Sequence, residues 1–147
     1  MRPLTNHIPN IIDDIMRDVW VNEDLEAIDT YFHPDARFYG RIRNTALTRS
    51  EFRDWVAQFQ SMASITGFER VLTVAEDEEN FAHVIRADLT SHMNGATGKL
   101  MGMFFDKLCD GKVIQSYANA DLLTYFETTG FLPDNATLIM LGGTPLS

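Results

Sequence analysis

Cysteine is almost missing from this chain. Cys109 stands alone among 147 residues, so no intrachain disulfide can form, and nothing in the cysteine usage points to an oxidising compartment. Basic residues are also scarce: 12 Lys and Arg face 21 Asp and Glu, for a formal charge of −9. Phosphate recognition needs clustered cations, so this balance argues against a nucleic-acid partner and against an anionic membrane surface. No run approaches the ~18 apolar residues of a membrane helix, and Met1–Asn10 has no signal-peptide core. The expectation is a cytoplasmic protein with neither nucleic acid nor membrane as partner. Gly-rich phosphate loops, paired metal-ligand spacings and a Gly-x-Ser-x-Gly elbow are absent from the sequence too. The reading therefore includes no cofactor and no metal.

What is present is apolar pattern. Hydrophobic residues make up 45% and aromatics 11%, too much for a disordered chain and enough for one core. Ile8, Ile11, Ile12, Ile15, Met16, Val19 and Trp20 repeat at helical spacing. A second helix is expected from an Asn22 cap, burying Leu25, Ile28 and Phe32 and ending at Pro34. Ala36–Ile42 reads as a strand. Thr48-Arg49-Ser50-Glu51 is a capping box opening a third helix with Phe52, Trp55, Val56, Phe59 and Met62 on its stripe, and Gly67 marks its end.

From Gly67 the period becomes two. Strands are expected over 67–76, 81–93, 99–108 and 112–120, broken by turns at Asp77–Asn80, Asn94-Gly95 and Asp110-Gly111. Asp121 then caps a short helix that ends at Gly130, with Phe131 folding back on Phe126. Residues 134–147 form a tail whose Leu138–Leu141 run is expected to dock on this subunit or a neighbour. Helices segregated from a strand meander mean α+β. The expected architecture is one domain over 1–147: a cone-shaped, curved antiparallel sheet covered by the N-terminal helices.

Several segments carry a resemblance. Asp110-Gly111-Lys112-Val113, then Asp121-Leu122-Leu123, then Thr129-Gly130-Phe131-Leu132-Pro133 are similar in order and spacing to the SnoaL-like polyketide cyclases, within the superfamily named after nuclear transport factor 2. Tyr31-Phe32-His33-Pro34-Asp35 and Ser91-His92-Met93-Asn94-Gly95 add weaker matches. The resemblance implies a conical pocket, and a metal-free, cofactor-free intramolecular aldol closure driven by a His and an Asp on the last two strands. Counted from the shared Asp-Gly-Lys turn, those two positions are Phe104 and Ala118 here. Neither transfers a proton.

If those positions point inward, so do their alternates: Leu100, Gly102 and Asp106 on one strand, and Ile114, Ser116 and Ala120 on the next. This facing requires a three-residue Cys109-Asp110-Gly111 loop, since a two-residue turn would reverse it. The lining is apolar with Asp106 and Ser116 as polar exceptions, as for a greasy small molecule. His83 lies on the same parity as Phe81, Ile85 and Leu89. His83 and Asp106 are the candidate acid and base. The bland alternative is a His bonded to backbone and an Asp in solvent at a hairpin end. Trp20, Tyr39, Trp55, Leu100, Phe104, Ser116 and Ala118 are the candidate substrate-binding residues. His33 and His92 read as structural and exposed. Met101, Met103 and Phe105 form a stripe on the opposite face, which calls for a homodimer through the outer sheet. With reversed facing, these residues line the pocket instead. Two functions stay open. One is a cofactor-independent isomerase, cyclase, dehydratase or hydrolase acting on a small apolar carbonyl or ring compound. The other is a non-catalytic ligand-binding or dimerisation module.

Overall fold

The computed structural model describes the backbone of residues 7–146 and side chains from residue 10 onward, so the first six residues and the Ile8 side chain lie outside the description. The first helix, α1 (His7–Ile15), continues into a π-helical turn, Met16–Val21. The wider turn is sealed by Asn22 N–H donating to the Arg17 carbonyl at 2.8 Å, an i→i+5 bond. Ile11, Ile12, Met16 and Val19 are buried as the stripe requires.

Asn22 does not cap the next helix. Glu23 adopts a left-handed φ of 55°, and the short α2 covers only Ala27–Tyr31. Asp24 Oδ1 instead accepts from Glu26 N–H. Phe32 is already in a strand, β1 (Phe32–Ile42), and Pro34 lies inside it rather than ending a helix. The N–H that proline lacks falls in an irregular stretch, since β1's register on its neighbour slips between Phe32 and Arg37.

After a small strand, β2 (Thr45–Leu47), comes α3 (Arg49–Met62). Its capping box is complete: Thr48 Oγ1 accepts from Glu51 N–H, and Glu51 Oε2 accepts from Thr48 N–H. The helix stops at Met62, five residues before Gly67, because the chain has already entered β3 (Ala63–Ala75). β4 (Asn80–Ser91), β5 (Thr97–Cys109), β6 (Lys112–Ala120), α4 (Leu122–Thr128) and α5 (Ala136–Leu141) follow.

The six strands form one sheet in the order β2-β1-β6-β5-β4-β3. The meander is antiparallel, but β1 runs parallel to β6, so the sheet is mixed rather than wholly antiparallel. Extra residues at Thr66 and Val71 in β3, and at Ile114 in β6, bulge the strands. Bulges bend a strand and increase its twist, and here they curl the sheet around α1, the π turn and α3. Phe32, Phe38 and Phe52 weld sheet to helix, with the Phe38 and Phe52 rings stacked at 3.8 Å.

The β5–β6 connection is the two-residue turn Asp110-Gly111, both with positive φ, and not a three-residue loop. Alone it would have reversed the facing. The bulge at Ile114 reverses it again, so Phe104 faces Ala118 and Asp106 faces Ser116 in register. Val113, not Ile114, points into the core at the hairpin end.

In the tail, α5 is held by buried Ala136 and by Thr137 Oγ1 donating to Glu127 Oε1 at 2.5 Å. Leu138 and Leu141 stay exposed and do not dock on this subunit. Among the described residues no helix is long and apolar enough to cross a membrane.

Candidate functional site

The concave face of the sheet encloses two adjoining hollows. The outer one, about 110 Å³, is lined by Trp20, Trp55, Leu100, Phe104 and Ala118 together with Met16, Phe59 and Gly102. The inner one, about 40 Å³, contains His83, Asp106 and Ser116 among Phe32, Phe52 and Phe81. Met16, Trp20, Arg41 and Phe104 border both. The π turn places Met16 and Trp20 on this wall, while Trp20 meets Trp55 and Phe59 edge to face.

His83 and Asp106 are each 7% exposed, so the bland solvent reading of Asp106 does not hold. Neighbouring strands bring them together: His83 pairs with Phe104, and Asp106 lies diagonally two residues on. His83 Nε2 is 3.7 Å from Asp106 Oδ2, a close contact but longer than a hydrogen bond. His83 Nδ1 and Asp106 Oδ1 have no partner among the described residues. Unsatisfied buried polar atoms are costly, and two in one chamber call for an explanation. The His83 ring lies between Phe81 and Phe104, at 5.8 and 5.1 Å.

Burial pushes the Asp106 carboxyl up to about 6, against the pull of the Ser116 hydroxyl and the Arg41 charge. Burial, then the Arg70 charge, pushes His83 down to about 4. Near neutral pH the pair is therefore a carboxylate beside a neutral imidazole.

Tyr39 is elsewhere. It stacks on Tyr117 at 4.5 Å, on the outer side of the sheet beside a shallow surface hollow, and does not line either inner chamber. Arg41 takes the inner position. Strict alternation from buried Phe38 would turn Arg41 outward, but Gly40 has φ 86° and breaks the alternation. No side chain fits at Gly40, because a Cβ there would overlap the Ala118 carbonyl oxygen. A glycine inside a strand pattern is the sequence signal for such a kink.

The other titratable candidates are structural. His33 Nδ1 accepts from Asp35 N–H, and exposed His92 bonds Ser64 and the Ser61 carbonyl. His33, Cys109 and Asp110 do meet, with one ligand atom each within 4.8 Å, although nothing in their spacing announces it. Burial and Asp110 push the Cys109 thiol up.

The sequence profile described as a SnoaL-like domain matches residues 14–116, most of the chain. The chain belongs to the SnoaL-like family. Solved structures agree on the fold. A candidate isomerase from Rhodopseudomonas palustris superposes with TM-score 0.73 at 12% identity, covering 88% of this chain and all of its own. TsrD from Streptomyces laurentii gives 0.72 at 13%, over 89% and 100%. A candidate polyketide cyclase from Acidithiobacillus ferrooxidans gives 0.69 at 16%, over 88% and 99%. No curated protein matches the chain. Such identities speak for the fold alone. Within that SnoaL-like fold, Phe104 and Ala118 sit directly opposite each other on the outer chamber wall, and the ionisable pair lies one step deeper.

Proposed function

We propose that this SnoaL-like protein is a cofactor-independent enzyme of the isomerase or cyclase type. Asp106 acts as the proton-transferring base on a small apolar carbonyl or ring compound. The observation that carries this is the Asp106–His83 pair, buried and partly unsatisfied at the end of an apolar cavity. A base held near 6 is ionised at neutral pH yet basic enough to take a proton. Trp20, Trp55, Leu100, Phe104 and Ala118 would hold the apolar body, with Ser116 and His83 around the carboxylate. His83 Nε2 flanks Oδ2 at 3.7 Å, and Oδ1, without a partner among the described residues, is left to accept the proton.

The test is hydrogen exchange. Small cyclic ketones and 1,3-diketones are incubated in D₂O with the protein, and their α-hydrogens are followed by NMR. Asp106→Asn is expected to abolish catalysed exchange and His83→Gln to slow it. Unchanged rates in both variants would overturn the proposal. A ligand-binding module is the second reading, favoured by the inert Phe104–Ala118 pair, and catalysed exchange that depends on Asp106 would rule it out.

The outer face supports a homodimer. Leu72, Val84 and Met103 form one cross-strand row, and Val74, Ala82, Phe105 and Tyr117 the next. Leu72, Met103, Val74, Phe105 and Tyr117 are exposed. On one side of these rows Arg86 pairs with Glu69 and Lys99 with Asp88, while on the other side exposed Lys107 and Arg37 have no ion-pair partner among the described residues. A contiguous exposed apolar face of this kind fits a second copy of the chain.

A further inference from the structure

Arg41 is a partly buried cation that feels the Asp106 charge without contacting it. Among the described residues it forms no ion pair, although it borders both chambers. Its Nη1 donates to the Tyr39 and Ser116 carbonyls at 2.9 and 3.0 Å, and its Nη2 donates to Ser116 Oγ at 3.1 Å. The guanidinium also lies 5.5 and 5.4 Å from the Phe38 and Phe52 ring centres. A guanidinium has five N–H donors, so Nε–H and one Nη2–H have no protein acceptor among the described residues. The side chain is fixed by backbone carbonyls and aromatic faces, while part of its donor edge is left over. Burial lowers Arg41 to about 10, with the Asp106 charge working the other way, so it remains a cation at neutral pH.

Its position relative to the base gives this a chemical meaning. Ser116, which Arg41 grips, faces Asp106 across the β5–β6 pair. Arg41 borders both the outer chamber and the inner one that holds Asp106. Resting on the reading of Asp106 as base, we propose that Arg41 binds the substrate oxygen as it becomes an enolate. The C–H bond next to the carbonyl breaks, and its proton goes to Asp106. Its electron pair becomes the new carbon–carbon π bond, and the carbonyl π pair moves onto oxygen. The negative charge thus leaves Asp106 and appears on the oxygen, where the fixed N–H groups meet it without reorganisation. Ring compounds lacking an enolisable carbonyl gain nothing from this arrangement.

The test measures charge recognition without turnover. Asp106→Asn mimics the protonated acid of the enolate complex. The probes are 4-nitrophenolate, a planar oxyanion, and 4-nitrotoluene, of nearly the same shape and with the same nitro group but no charge. Binding is read from quenching of Trp20 and Trp55, the only two tryptophans, both on the cavity wall. At a pH where the phenol is ionised, Asp106→Asn is expected to bind the phenolate about tenfold to a hundredfold more tightly than 4-nitrotoluene, as for a charge-assisted hydrogen bond. Adding Arg41→Gln is expected to bring that ratio close to one while 4-nitrotoluene still binds. Arg41→Lys, which keeps charge but loses the fork, should fall between and serves if the Gln variant fails to fold.

A ratio near one with Arg41 intact, or one that survives Arg41→Gln, overturns the role given to Arg41 and leaves the cavity standing. Binding of neither probe in any variant overturns the ligand-cavity reading and Arg41's role together.

Discussion

Replacing either member of the buried pair should change how stability depends on pH, in opposite directions. Asp106 moves from the ordinary 3.8 to about 6 on folding. Its folded value is raised, so its favourable contribution is complete below 3.8 and is lost as pH rises to about 6. His83 moves from 6.5 to about 4. Its folded value is depressed, so its contribution is complete above 6.5 and is lost as pH falls to about 4. Each displacement corresponds to about 3 kcal/mol. In the wild type the two nearly cancel across the same window, so neither is visible alone. Urea unfolding of wild type, Asp106→Asn and His83→Phe between pH 3.5 and 7.5 separates them, because the difference curves remove every other titrating group. The wild-type stability minus that of Asp106→Asn should fall by about 3 kcal/mol between about pH 4 and 6. The wild-type stability minus that of His83→Phe should rise by about 3 kcal/mol between about pH 4 and 6.5. Phe is chosen because the ring position lies between Phe81 and Phe104. Flat curves, or two curves of the same slope, would refute the claim that burial governs this pair.

Gly40→Ala meets both a left-handed backbone and the Ala118 carbonyl. It should lower the melting temperature and weaken 4-nitrophenolate binding by displacing Arg41; a variant as stable as wild type would contradict the close β1–β6 approach. Met103→Glu puts a charge in the middle of the outer apolar rows. Sedimentation should show wild-type dimers and variant monomers, and a monomeric wild type would remove the dimer.

Patterns confined to neighbouring residues were legible in the sequence. The Thr48–Glu51 capping box, the limits of β6 at Lys112 and Ala120, the Asp121 cap and the inward parity of His83 all follow from spacing, and the structure contains each. The features that escaped interrupt a period. A π turn shifts the helical phase at Met16, and Gly40 turns Arg41 inward. At the β5–β6 hairpin two departures offset each other: the turn is one residue shorter than expected, and the Ile114 bulge restores the facing. The inward set is therefore the one a three-residue loop would have produced. Tyr39 alternates with buried Phe38 and therefore faces outward, where it stacks on Tyr117. The meeting of His33 with Cys109 depends on tertiary packing and leaves no trace in local spacing. The parallel β1–β6 pair is likewise a tertiary choice.

The central claim, that Asp106 is a buried base acting on a molecule in the cone, is tested most directly by the pH dependence of catalysed α-hydrogen exchange. The account predicts a rate that rises with pH through a midpoint near 6 and levels off above it, and that vanishes in Asp106→Asn. Exchange that keeps its rate in Asp106→Asn, or a profile with no inflection near that value, would contradict it.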